Sequence, residues 1–156
     1  MTFPTEKQRM ALNALHNLHR SLTAAMTLAT EVCSPRVPAT PFTIEFFLCG
    51  LYLRDRDAVI AYFETEEPYI RMVKELCGDH AKRSLLRKLS SRRGPVSIFT
   101  NVDESFVDVL CQAAEVSLAG GRRRIELRDF MRALGSKQDI VRKLSENRGL
   151  TLKKVV

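Results

Sequence analysis

One short helical unit occurs twice in this sequence, and the duplication constrains the fold more than any other feature. The first copy, residues 43–63, runs from an apolar stretch through a charged turn into a second apolar stretch. The second copy, residues 126–144, repeats that order of parts. Aligning the copies gives four equivalent pairs: Phe47 with Phe130, Leu48 with Met131, Gly50 with Ala133, and Leu51 with Leu134. A duplicated helical unit predicts a binding surface between its halves rather than a catalytic centre.

The size and composition are those of one soluble globular domain. The chain has 156 residues, of which 45% are hydrophobic and 28% charged, so it can bury a substantial core. No apolar run is long enough to cross a bilayer. The N-terminus lacks the basic and apolar regions of a secretory signal. We therefore expect a cytoplasmic protein that does not contact a membrane.

Neither the cysteines nor the histidines form a recognisable metal-binding or disulfide pattern. The chain has no C-x-x-C pair, which favours reduced and mostly buried thiols over a zinc site or a disulfide framework. His16 and His19 lie three residues apart, which predicts a partly exposed pair on one helix face. We predict no metal and no cofactor. The scattered cysteines are Cys33, Cys49, Cys77 and Cys111.

The first half of the chain predicts four helices. An apolar stripe at spacings of three and four predicts a first helix from about Glu6 to Glu31. After three prolines, Thr43 is placed to cap a central helix, with Glu45 in its first turn. A third helix is expected from Asp57 to Phe63. A fourth begins with Pro68 in its first turn and stops at Gly78.

The second half repeats this plan after a basic linker, residues 79–101. A helix is expected to begin at Asp103 or Ser105 and to bury an apolar stripe that ends with Leu118. Two further helices are predicted over 127–134 and 139–147, and a short final helix contains Val155. The predicted fold is therefore all-α: about eight helices in two pseudo-symmetric four-helix repeats that form one compact domain.

These residues resemble the N-terminal domain of the Clp AAA+ protein unfoldases, a tandem of two four-helix repeats. In that family the central helix begins with Thr, a variable residue, Glu and His, and an aliphatic stretch follows that ends in Gly-Leu or Ala-Leu. Residues 43–51 read Thr-Ile-Glu-Phe-Phe-Leu-Cys-Gly-Leu here, and residues 126–134 read Glu-Leu-Arg-Asp-Phe-Met-Arg-Ala-Leu. The resemblance covers most of residues 8–152. It divides the chain into repeat one (8–78), the linker (79–101) and repeat two (102–156).

The resemblance implies a protein-interaction module that recruits substrate proteins or adaptors to a Clp-type ATPase ring, in cis or in trans. Some members recognise phosphorylated arginine through an acidic residue in each repeat. Glu45 stands at that position in the first copy but Arg128 in the second, so we do not transfer that specificity. An apolar helix or an unfolded peptide segment would dock between the repeats. The predicted protein-binding residues are Thr43, Glu45, Phe46, Tyr52, Arg128, Asp129 and Arg132.

The net charge of +7 supports an alternative function. Clustered cations attract nucleic acid, anionic surfaces or acidic protein segments, although such clusters also occur in solvated connectors. A basic helical nucleic-acid-binding protein is the second hypothesis, and a purely structural homodimer is a third. The sequence offers no recognition helix or zinc finger for nucleic acid. The predicted anion-binding residues are Arg92, Arg93, Arg122, Arg123 and Arg124.

No catalytic motif accompanies these features. The sequence contains no Gly-x-x-x-x-Gly-Lys-Ser/Thr loop for nucleotide phosphates and no recognisable nucleophile with a partnered base. We predict that this chain is not an enzyme, while a longer natural protein could continue into an ATPase beyond Val156. The sequence leaves open the client, the oligomeric state and the role of the linker.

Overall fold

The computed structural model describes residues 6–33, 42–77 and 103–153, and in these ranges it is all-helical. Two isolated β-bridges join described residues, Leu18 with Ile125 and Phe63 with Leu152. The eight helices are α1 (Glu6–His16), α2 (Arg20–Cys33), α3 (Ile44–Arg54), α4 (Arg56–Ile60), α5 (Glu67–Cys77), α6 (Glu104–Ala119), α7 (Leu127–Ser136) and α8 (Gln138–Arg148).

The predicted first helix is interrupted, which corrects the expectation of one helix from Glu6 to Glu31. The backbone leaves the helix at Asn17 because it pairs with a distant segment there. The His19 N–H donates to the Ile125 carbonyl at 2.9 Å, and the Ile125 N–H donates to the Asn17 carbonyl at 2.8 Å. His16 ends α1 and His19 lies in the turn, so the two histidines do not share one helix face.

Helix α3 is the centre of the structure. Its predicted cap is confirmed, since the Thr43 hydroxyl accepts from the Phe46 N–H at 3.3 Å. Buried residues lie on all sides of this helix: Ile44, Phe46, Phe47, Leu48, Cys49, Gly50 and Leu51. The helix packs closely on α2 because Gly50 has no side chain where Ala25 and Ala29 approach.

The next two helices begin close to their predicted starts, but α4 ends earlier than predicted. Helix α4 stops at Ile60, three residues before the expected Phe63, because the following residues turn to pair with the end of the chain. Helix α5 begins at Glu67 with Pro68 in its first turn, as predicted. The expected stop at Gly78 and the linker 79–101 lie outside the described residues.

The second half contains helices α6, α7 and α8 close to their predicted positions. Leu118 is the exception: the sequence placed it in the buried stripe of α6, but 70% of its surface is exposed. Ser117 takes the buried position instead. Its hydroxyl lies 3.1 Å from the Arg122 carbonyl oxygen and 2.9 Å from the Arg124 carbonyl oxygen, and it can donate a hydrogen bond to either. The polar side chain thereby fastens the loop that leads into α7.

The chain after α8 does not form the expected turn into a helix within the described residues. Gly149 adopts the left-handed conformation (φ 72°) that ends α8. Leu152 then pairs in extended conformation with Phe63, with the Lys153 N–H donating to the Tyr62 carbonyl at 2.9 Å. Val155 lies outside the described residues. The buried side chains of all eight helices except α1's first turns join one continuous core, so the described residues form a compact body.

Candidate functional site

The starts of the central helices meet in an aromatic cluster. The rings of Phe47 (α3) and Phe130 (α7) lie edge to face with centroids 4.6 Å apart. The Phe106 ring of α6 lies 5.4 Å from Phe47 and 6.3 Å from Phe130. Phe42 extends the cluster, 5.1 Å from Phe106. All four side chains are buried, so this cluster fixes how the two central helices face each other.

The two central helices begin in the same backbone conformation. The residue before α3, Thr43, has φ −110° and ψ 169°, and the residue before α7, Glu126, has φ −102° and ψ 169°. Helix α7 is capped by a reciprocal pair: the Glu126 N–H donates to the Asp129 carboxylate at 2.9 Å, and the Glu126 side chain accepts from the Asp129 N–H. Both starts are thus fixed by local hydrogen bonds.

Glu45, predicted to contact a partner, forms an ion pair inside the molecule. The Arg148 Nε donates to the Glu45 carboxylate at 2.7 Å, and the same guanidinium reaches the Glu75 carboxylate at 2.8 Å. Burial by itself would lower the pKa of Arg148, but its hydrogen bonds and ion pairs with Glu45 and Glu75 outweigh burial and raise it. This network ties the end of α8 to the start of α3 and to α5.

Phe46 and Tyr52 lie on other parts of α3. Phe46 is only 8% exposed and packs near Phe42, with ring centroids 6.3 Å apart. Tyr52 is half-buried against Tyr69, with ring centroids 5.2 Å apart. Burial raises the pKa of the Tyr52 hydroxyl. The charge of Glu66 raises this pKa further, and Arg56 lowers it in part. The structure therefore does not bring these two side chains together with the predicted residues of α7.

The three predicted residues of α7 divide into one buried and two exposed side chains. Asp129 is 1% exposed; it accepts from the Glu126 N–H and pairs with the Arg122 guanidinium. Arg128 is exposed and lies 3.3 Å from the Glu126 carboxylate. Arg132 is exposed one turn further along the same helix. Only the two arginines are thus available for contact with a partner.

These arginines line a groove that we call the arginine groove. It encloses about 700 Å³ between the end of α6, the exposed face of α7 and the turn after α4. A smaller groove of about 350 Å³ adjoins it and shares Tyr62 and Arg128. Residues that line the arginine groove include Tyr62, Val116, Ala119, Arg122, Arg128 and Arg132.

Sequence reasoning did not identify Tyr62 as part of the site. Tyr62 lies in the turn after α4, and its carbonyl accepts the Lys153 N–H, so the extended end of the chain holds it in place. The sequence signal was weak, because Tyr62 falls within a stretch that reads as helical. Tyr62 lines the groove at a turn whose backbone pairs with Lys153, far along the chain.

The predicted anion-binding arginines have different surroundings. Arg122 is engaged by Asp129, while its Nε is buried and makes no hydrogen bond although it lies 3.3 Å from Glu126. Arg124 donates to the His16 carbonyl at 3.2 Å. Arg123 is exposed. Arg92 and Arg93 lie outside the described residues, as does the whole of the basic linker.

The described part of the chain has no metal-binding cluster and no membrane-spanning helix. Within residues 6–33, 42–77 and 103–153, no group of three or more His, Cys, Asp or Glu side chains is placed to hold a metal ion. None of the described helices is long and apolar enough to span a bilayer. Of the cysteines with described side chains, Cys49 and Cys77 are buried and Cys111 is half-buried, and none forms a disulfide.

Comparison with known proteins gives no relative for this chain. The sequence matches no protein-family model, and neither the curated proteins nor the solved structures provide a match.

Proposed function

We propose that this chain consists of two related helical repeats and serves as a protein-interaction module similar to the N-terminal domain of Clp-type AAA+ unfoldases. Repeat one is residues 8–78 and repeat two is residues 102–156. In this proposal α2 corresponds to α6 and α3 to α7. The module recruits substrate proteins or adaptors to a Clp-type ATPase ring, either as its N-terminal domain or as a free-standing adaptor.

A reciprocal exchange of backbone hydrogen bonds carries this proposal. The segment before α2 pairs with the segment before α7, through His19 and Ile125. The segment before α6 pairs with the segment before α3, where the Asp103 N–H donates to the Phe42 carbonyl at 3.0 Å. If α2 and α3 correspond to α6 and α7, each pairing is the image of the other. Such reciprocity is expected of two units related by a two-fold rotation.

The aromatic cluster supports the same correspondence. Under a two-fold rotation, a residue can contact its own equivalent only near the axis. Phe47 and Phe130, which the sequence aligns with each other, are in direct ring contact. The residues four positions earlier, Thr43 and Glu126, cap their helices with nearly identical backbone angles. These agreements concern residues more than 80 positions apart and need not arise in an unrelated helical bundle.

The recruiting role is supported by the position of the exposed surface. The arginine groove lies where elements of both proposed repeats meet: Tyr62 follows α4, while Val116 and Arg132 belong to α6 and α7. A partner that fills this groove would contact both repeats at once. The predictions that the chain is no enzyme and that it lies in the cytoplasm stay predictions.

A basic helical nucleic-acid-binding protein remains the second hypothesis. Two of the three arginines in the tract 122–124 make contacts within the protein, which reduces the described cationic surface available for phosphates. Arg123 and the linker arginines remain as candidates for that function.

The proposed function is tested with the Clp-type ring of the source organism. Purified chain is added in trans, or fused to a ring that lacks its own N-terminal domain, and the rates of ATP hydrolysis and client unfolding are measured. We expect both rates to rise in at least one format. The Arg132→Glu variant should reduce the effect, while Arg142→Glu, an exposed substitution on α8, should not. No response of the ring in either format would contradict the recruiting role.

A further inference from the structure

We propose that the arginine groove binds an acidic peptide segment, whose carboxylates pair with Arg128 and Arg132 while an apolar side chain packs on Tyr62 and Val116. This inference rests on the proposed function, because it names the chemistry of the partner that the module recruits. It goes further in assigning the groove a charge preference.

The charge of the groove supports an anionic partner. Arg128 and Arg132 lie one helical turn apart, so both guanidinium groups belong to the same wall of the groove. Arg132 forms no ion pair with any carboxylate of the described residues, and the only carboxylate paired with Arg128, Glu126, is itself 40% exposed. An exposed pair of this kind contributes little and can be exchanged for a partner's carboxylate.

The acidic residue within the groove does not cancel this charge. Asp129 is buried, and it is already paired with Arg122 and with the Glu126 N–H. Its charge therefore balances Arg122 and leaves the outer two arginines for a partner. Opposite charges across an interface favour fast and selective association.

Apolar surface beside the arginines favours a peptide over a free anion. The wall formed by α6 presents Val116 and Ala119, and the ring of Tyr62 lies across the groove. Leu118, which neighbours Ala119 at this end of α6 but does not line the groove, is 70% exposed. A peptide that alternates acidic and apolar residues can satisfy both surfaces, whereas inorganic phosphate can satisfy only one.

Carboxylates around the groove disfavour a continuous phosphate backbone. The adjoining smaller groove contains Asp55 and Glu126 beside Arg54 and Arg128. A nucleic-acid strand that followed the arginines would bring phosphates close to these acids. A short peptide can place its charges selectively, so the mixed pattern fits a peptide better.

The test is a fluorescence anisotropy titration of the full chain with three labelled probes. The first is a short peptide of alternating glutamate and leucine, the second replaces glutamate with glutamine, and the third is a single-stranded oligonucleotide. Each probe is titrated with the wild type, Arg132→Glu and Arg142→Glu. Both substitutions replace arginine with glutamate, so they change the net charge equally. The control arginine is 65% exposed and lies 3.4 Å from the Asp139 carboxylate. Thermal unfolding confirms that both variants are folded.

We expect the glutamate peptide to bind most tightly, with an affinity that falls as salt increases. Arg132→Glu should weaken it about tenfold, and Arg142→Glu by less than about twofold. Equal binding of the glutamate and glutamine peptides would overturn the charge preference while leaving the recruiting function standing. Tighter binding of the oligonucleotide, or equal effects of the two substitutions, would overturn the assignment of this groove to an acidic peptide. Absence of binding by every probe would overturn it as well, and the ring assay would then decide separately on recruitment.

Discussion

Replacing Gly50 with alanine tests the close packing of α2 on α3. A Cβ atom at position 50 would lie 2.0 Å from the Ala25 carbonyl oxygen, 2.9 Å from the Ala25 carbonyl carbon and 2.9 Å from the Ala29 Cβ. Nonbonded carbon atoms prefer separations of about 3.5 Å. Two of the three atoms belong to the backbone, so a side-chain rotation cannot relieve the overlap. The helices must move apart by roughly 1.5 Å.

The free energy of unfolding should fall by about 2 kcal/mol. Alanine has a higher helix propensity than glycine and would stabilise α3 by about 1 kcal/mol. Overpacking of a filled core costs about 1–3 kcal/mol, and the upper part of this range or more applies where backbone atoms are in contact. The net loss corresponds to a midpoint of thermal unfolding lower by about 4–8 °C for a chain of this size.

Gly135 provides the matched control. It lies in α7, and a Cβ atom there would have no neighbour within 4 Å. Gly135→Ala should leave packing unchanged and raise stability by up to about 1 kcal/mol. Urea denaturation followed by circular dichroism measures both variants. Gly50→Ala as stable as Gly135→Ala would refute the contact between α2 and α3 described above.

Three further experiments test other contacts. The buried Tyr69 hydroxyl donates to the Leu48 carbonyl, and burial raises its pKa well above 10, so the folded chain keeps a proton that the unfolded chain releases from about pH 10. The free energy of unfolding should therefore fall above about pH 10, by up to about 1.4 kcal/mol per pH unit. The wild type should be about 1 kcal/mol more stable than Tyr69→Phe below this pH, and the difference should shrink above it. Urea midpoints of the two proteins that keep a constant difference across this range would contradict the prediction. A double-mutant cycle of Phe47→Leu and Phe130→Leu should give a coupling energy of about 1 kcal/mol in chemical denaturation, and additive effects would contradict the ring contact. Arg148→Met should cost about 1 kcal/mol at low salt and less at high salt, because the ion pairs with two carboxylates are only partly buried; a loss that does not depend on salt would assign the effect to packing instead.

Local signals in the sequence were sufficient to predict most helix starts. The cap at Thr43, the proline in the first turn of α5 and the start of α6 after Asp103 depend on neighbouring residues only, and the structure agrees with them. The all-helical class follows from the same periodic patterns. The residues that cap a helix and those that form its apolar face lie within one or two turns of one another, so the signals for helix starts and helical class are local.

The features that the sequence did not reveal depend on distant residues. The apolar stripe continues through Leu18, yet the helix breaks there because Ile125 pairs with the backbone. Helix α4 ends early because Leu152 pairs with Phe63. Glu45 is engaged by Arg148, 103 positions along the chain. No local pattern encodes such pairings, since each is decided by which segments the packed helices bring together.

The candidate site was predictable in part for the same reason. Arg128 and Arg132 are exposed on α7, where helical spacing placed them. Phe46 and Asp129 belong to the same predicted set but are buried, because the starts of α3 and α7 face the core. Tyr62 joins the groove only through the folding of the chain's end. Spacing along a helix therefore located the surface, and tertiary contacts decided which side chains it presents.

Site-specific photo-crosslinking from position 119 most directly tests whether the arginine groove is a protein-interaction surface. Ala119 is exposed and lines the groove, and replacing it leaves Arg128 and Arg132 intact. A benzophenone amino acid replaces Ala119 in one variant and Arg142, which lines neither groove, in the other, and both are irradiated in an extract of the source organism. We expect protein adducts that resist nuclease and form from position 119 but not from position 142. Equal adducts from both positions, or adducts from position 119 that nuclease removes, would contradict this expectation.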